Sequence, residues 1–141
     1  MSVPLSRWTM PILRIAMAVF LLAWAVDKLV ATETSQGIFG HFYGIAAGPF
    51  LVRAAGVAEL TLGVLLAVGL FRVAVAWAQL IVNAISALAS WRQLLDPWGF
   101  LGFTQGGTHL FLASIVVTAV AIVLVVNAGD DTCTLDRRLG R

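Results

Sequence analysis

From Trp8 to Ala31 the chain reads WTMPILRIAMAVFLLAWAVDKLVA, an apolar run interrupted by ionisable side chains only at Arg14, Asp27 and Lys28. A bilayer core takes about 20 predominantly apolar residues per helix, and this run supplies them. Three further runs do the same, from Phe50 to Phe71, Val73 to Trp91 and Thr108 to Asn127, with only short polar breaks between them. With 60% hydrophobic and 11% charged residues and a mean hydropathy of +0.96, the composition excludes a soluble domain. The expected fold is all-α, an integral membrane four-helix bundle running up-down-up-down. It forms a single domain over residues 1–141, with helices at about 8–31, 50–71, 73–91 and 108–127 and a polar tail over 128–141. Little chain remains for a separate soluble domain, so chemistry is expected inside the bundle, on its loops or through partners.

The net charge of +2 and pI near 9.3 do not point to nucleic acid, because the nine basic residues are scattered at helix ends. An even number of spans puts both termini on one side. That side collects Arg7, Arg72, Arg137, Arg138 and Arg141, with Arg14 just inside the first helix, against Lys28, Arg53 and Arg92 opposite. The excess predicts cytoplasmic termini. Ala23-Trp24-Ala25 resembles a signal-peptide cleavage site, but the apolar stretch is longer than a signal core, and an uncleaved helix is expected. Cys133 is the single cysteine, so an internal disulfide or a thiol-pair relay is excluded.

The first external loop, Thr32 to Pro49, carries Gly37, Phe39, Gly40, Phe42, Tyr43, Gly44 and Gly48, and reads as a short re-entrant or interfacial helix. The second, Arg92 to Gly107, repeats this flavour with Trp98, Phe100 and Phe103. With Trp24 and Trp91 these rings form either an aromatic belt or a lid over a lipophilic ligand site. His109 and the outer polar residues Ser86 and Ser90, with Tyr43 and Trp98, are the candidate headgroup contacts in the second case. His41 and His109 share a membrane side, but no carboxylate or thiol cluster accompanies them, so no metal or haem site is expected.

Polar residues inside spans are expensive and by default face the bundle interior. Gln79, Asn83, Ser86, Ser90 and Gln93 recur every three or four residues and draw one polar stripe along the third span. The second span has a stripe of small residues, Gly56, Gly63 and Ala67, with Glu59 among them. Glu59 lies twelve residues from Phe71 and Asn83 eleven from Arg72, which puts both about 17–18 Å from the inner surface at 1.5 Å per residue. Spans two and three, joined by a tight turn, are therefore expected to pair through Glu59 and Asn83. That pair serves either as a polar clasp or, with Gln79 and Arg14 near it, as a proton-exchanging or ligand-binding site. Arg14 either snorkels to phosphates or binds an anionic or carbonyl group in the bundle. Asp27 and Arg53 are placed for a structural ion pair between the first two spans.

The first span, Arg14-Ile-Ala-Met-Ala-Val-Phe through Trp24-Ala-Val-Asp27-Lys28-Leu, the second, Ala58-Glu59-Leu-Thr-Leu-Gly63 to Gly69-Leu-Phe-Arg72, and the end Thr134-Leu-Asp136-Arg137-Arg138-Leu together resemble the DoxX/DoxD-like family of small four-helix bacterial membrane proteins. The resemblance covers nearly the whole chain, through short hydrophobic motifs that specify fold better than activity. It implies a bacterial inner-membrane location and a role in quinone-linked sulfur oxidation or another membrane redox complex. It also maps the family's Arg, Asp-Lys and Glu onto Arg14, Asp27, Lys28 and Glu59. The expectation is a small subunit of a redox complex, with no covalently bound cofactor, that anchors a partner or contributes to a quinone site. It is at most a non-catalytic or quinone-binding part of an oxidoreductase. A carrier for a small lipophilic or polar ligand, or a purely structural subunit, is the rival. Expected partners are membrane lipids, other subunits or further copies of this chain, and a quinone.

Overall fold

The structure is a computed structural model, and it describes residues 7–140; Arg141, counted above among the basic residues, lies outside them. Among the described residues every regular element is helical. The elements are α1 (Thr9–Val30), α2 (Thr32–Tyr43), α3 (Pro49–Val68), α4 (Arg72–Ala89), α5 (Trp91–Leu95), a 3-10 turn at His109–Leu112 that leads into α6 (Ala113–Val126), and α7 (Leu135–Arg138). Four segments are long and apolar enough to cross a membrane: α1, α3, α4 and the continuous His109–Val126. The aromatic loop of residues 32–49 folds over Thr32–Tyr43 as α2, which stops where Gly44 turns left-handed at φ 65°.

The second span ends earlier than its apolar run. Gly69 (φ 69°) gives α3 a left-handed cap, with its N–H donated to the carbonyls of Leu65 and Leu66. Phe71 is also left-handed at φ 52°, a conformation that side-chain-bearing residues adopt at a cost of about 1–2 kcal/mol. Two left-handed residues within three reverse the chain into α4.

Packing departs from the expected order. α3 lies chiefly against α1, and α4 chiefly against α6, while the α3–α4 contact is slight. The small-residue stripe explains this. A Cβ on Gly56 would come within 3.0 Å of the Lys28 Cβ, and one on Gly63 within 2.9 Å of Leu22, so the glycines admit α1 rather than α4. The shared core is Met10, Met17, Ala18, Leu21, Leu66, Val75, Ala121 and Leu124, to which α1 contributes half. In its most apolar stretch 39% of α1 is buried, against 11% of His109–Val126, which makes α1 the central helix and α6 the most outward-facing.

The tail is no loose surface segment. Asp131, Thr134 and Asp136 are all buried, because the chain after α6 turns back under the ends of α1, α3 and α4.

Candidate functional site

The expected Glu59–Asn83 pair is not formed; each has another partner. Lys28 donates from Nζ to Glu59 Oε2 at 2.6 Å, across the α1–α3 contact that Gly56 permits. The helix geometry accounts for the direction. A Cα–Cβ bond tilts toward its helix N-terminus, so the Lys28 stem runs into the bundle rather than out to the loop end. Its ammonium also donates to the Trp24 carbonyl at 3.3 Å and lies 5.6 Å from the Trp24 ring centre. Both side chains keep some exposure, 17% for Lys28 and 11% for Glu59, so the pair sits at the flank of the bundle rather than at its axis.

Gln79 and Asn83 are buried together at the centre. The Asn83 amide donates to the Gln79 carbonyl at 2.8 Å, to Gln79 Oε1 at 3.1 Å and to Met17 Sδ at 3.6 Å. Gln79 in turn donates to the Ala121 carbonyl on α6 at 3.1 Å. This clasp ties α4 to α6 and touches α1, which is why its natural partners exclude Glu59. Further along the stripe, Ser90 donates back to the Ser86 and Ala87 carbonyls, while the Ser86 hydroxyl meets Tyr43 Oη at 3.1 Å.

Arg14 is 6% exposed and does not snorkel. Its Nε donates to Asp131 Oδ2 at 2.7 Å, Nη1 to the carbonyls of Leu66 at 2.8 Å and of Ala67, and Nη2 to the Cys133 carbonyl at 2.7 Å. The ends of α1 and α3 and the tail are thus fastened through one guanidinium. A second fastening lies beside it. The Asp136 carboxylate accepts from the N–H of Phe71 at 3.0 Å and of Arg72 at 2.8 Å, at the positive end of α4. Thr134 packs on Gly69, where a Cβ would lie 2.8 Å from the Thr134 Cβ. Sequence reasoning missed these tail acids. The available signal was that a charged arginine inside a span needs an anion, and Asp130, Asp131 and Asp136 are the acids nearest its end of the bundle.

The expected Asp27–Arg53 pair is also absent. Asp27 is exposed, and Arg53 Nε donates to the Thr32 hydroxyl at 3.4 Å instead. At the loop end, a ring of each loop packs against the end of a span, and the two loops share the lining of one cleft. Phe42 lies 5.5 Å from Phe111 and Trp91 lies 5.7 Å from Phe103, and a cleft of about 270 Å³ is lined by His41, Phe42, Ala89, Trp91, Arg92, Gln93 and Phe103. This cleft stops at Ala89 and does not reach Asn83. His109 and Trp98 do not line it; Trp98 stacks on Phe100, and both rings stand exposed. The second loop is shaped by Asp96, whose carboxylate accepts from the N–H of Phe103 at 2.9 Å and of Thr104 at 3.4 Å. Burial pushes the Asp96 carboxyl upward, but backbone N–H groups of Leu101, Phe103, Thr104 and Phe100 outweigh it and hold the pKa below the ordinary 3.8.

Four spans with buried polar fastenings and no strand among the described residues define a multi-pass α-helical membrane protein. The DoxX family model matches residues 9–91, more than half of the chain, and the chain belongs to the DoxX family. No curated protein and no solved structure matches it. The match takes in Arg14, Lys28, Glu59, Gln79 and Asn83 and ends before the tail that completes the Arg14 site.

Proposed function

We propose that this chain is a non-catalytic membrane subunit of a redox complex, one that holds a catalytic partner at the bilayer. One observation carries the reading: the polar groups inside the bundle are engaged with one another. Every buried side-chain nitrogen and oxygen among the described residues has a hydrogen-bond partner. The cavity beside Arg14 measures about 20 Å³, space for a single water. A carrier enclosing a ligand between its helices needs far more. What the bundle offers is its outside, and the redox assignment rests on the family resemblance. The test is to purify the tagged chain from native membranes in mild detergent. Co-purification of a flavin-, haem- or thiol-containing subunit is the expected outcome, and a chain that always arrives alone overturns the anchor reading.

A second reading, that the chain also contributes to a quinone site, is favoured by the Lys28–Glu59 pair. It joins an ammonium of one span to a carboxylate of the next, partly open at the flank and beside the Trp24 ring. A quinone arriving through the lipid would find there a donor for its carbonyl and an acceptor for a quinol hydroxyl. Loss of retained quinone from the complex in Lys28→Met, with the partner still bound, is the expected outcome. Undiminished quinone would return the pair to a packing role.

A further inference from the structure

The loop-end cleft differs from the ion-paired sites inside the bundle. At Arg14, Lys28 and Arg137 a cation meets an anion or a carbonyl: Arg14 meets Asp131, Lys28 meets Glu59, and Arg137 donates to the Gly129 carbonyl. Arg92, on the wall of the cleft, has neither. Its guanidinium lies 5.4 Å from the Trp91 ring centre, and no carboxylate of a described residue is within ion-pair reach of it. Stacking on one ring leaves the edges of a guanidinium, with their N–H groups, free. The two other polar side chains of the lining are His41, whose ring packs edge-on against Phe42 at 4.7 Å, and Gln93, and neither side chain is engaged in a hydrogen bond to a described residue. The lining holds no acid. The acid nearest in sequence, Asp96, turns its carboxylate toward the N–H groups of its own loop.

The cleft therefore presents a forked cation, an imidazole and an amide, walled by Phe42, Trp91 and Phe103, with nothing inside to neutralise the charge. It opens where α4 ends, at the level at which a span leaves the hydrocarbon for the headgroups. A guanidinium fork matches the oxygens of a tetrahedral phosphate and binds them two at a time. We propose that this cleft is a phosphate-binding site at the bilayer surface, with Arg92 as the principal ligand and His41 and Gln93 as flanking donors. The phosphate is supplied by a phospholipid headgroup or by free phosphate, and the aromatic walls suit the glycerol and upper acyl carbons of a lipid. The proposal is independent of the redox reading, since it uses none of the residues on which that reading rests.

The test uses the full chain in detergent and native mass spectrometry, with phosphatidylglycerol and the phosphate-free galactosyl diacylglycerol as probes. Wild type is expected to retain phosphatidylglycerol at least fivefold over the galactolipid, and Arg92→Gln to lose that preference. Arg138→Gln, which removes the same charge from the opposite end, is expected to keep it. Competition by millimolar inorganic phosphate would identify the small anion as the ligand, and failure to compete would identify the lipid. Equal retention of both lipids by wild type, with no calorimetric binding of phosphate, overturns the site. So does an equal loss in both variants, which would mean diffuse electrostatics. An unchanged thermal midpoint of Arg92→Gln confirms that any loss is local.

Discussion

The side chain that most changes the reading of this protein is Lys28. A lysine at the end of a span is ordinarily an outward anchor; here the tilt of its Cβ and the close approach at Gly56 turn it inward onto Glu59. Removing one partner of a largely buried ion pair strands the other charge and typically costs about 3–5 kcal/mol, whereas replacing both with apolar residues is often neutral. Glu59→Leu and Lys28→Met are therefore each expected to destabilise the purified protein by about 3 kcal/mol, and the two combined by much less. Thermal unfolding in detergent measures this cycle, and additive losses would mean that the 2.6 Å contact carries no coupling. The individual residues were legible in the sequence, because Glu59, Asn83, Gln79 and Arg14 stand out against apolar surroundings. Their partners were not. Depth along a helix matches many pairs at the same level, and only the packing order chooses among them.

At the scale of elements, that order was hidden in the small-residue stripe. Gly56 and Gly63 announce that something comes close without saying which helix, and the short turn after Gly69 made α4 the obvious guess. The turn instead serves the tail. Gly69→Ala would put a Cβ 2.8 Å from the Thr134 Cβ and would also strain a residue at φ 69°. A loss of about 2 kcal/mol is expected from the left-handed backbone and the crowding together. Faster proteolysis within residues 129–140 would show it, and a wild-type digestion rate would mean that the tail is held without this contact. The second loop answers to pH. Asp96 binds backbone N–H groups as a carboxylate, so its folded pKa lies below the ordinary 3.8. The stability it contributes is present above that ordinary value and is lost as pH falls through the lower folded one. Protection of the Phe103 and Thr104 amides, taken as exchange relative to the intrinsic rate at each pH, should be high at neutral pH and fall on acidification below 3.8, while Asp96→Asn should leave it low throughout. Slow exchange in that variant would show that loop packing, not the charge, orders the segment.

At the scale of the whole molecule, one residue reports on orientation without any engineering. Cys133 is the single cysteine and is exposed in the tail. The excess of arginines around the termini predicts that a membrane-impermeant maleimide leaves it unlabelled in intact cells and reacts once they are permeabilised. Labelling of intact cells would invert the topology. The tail that carries this thiol also has a temporal meaning. Arg14 and Asp131 are 117 positions apart, so at about 5–20 residues per second the ribosome delivers the anion roughly 6–23 s after the cation. Throughout that interval the first helix resides in the translocon or the lipid as an unneutralised arginine span. The carbonyls of Leu66 and Ala67 emerge partway through and offer the guanidinium its first acceptors. Assembly of this bundle is thus a race between the synthesis of Asp131 and the quality-control proteases that recognise charged, unpaired spans, and the first helix gains its counter-charge only after Asp131 has left the ribosome.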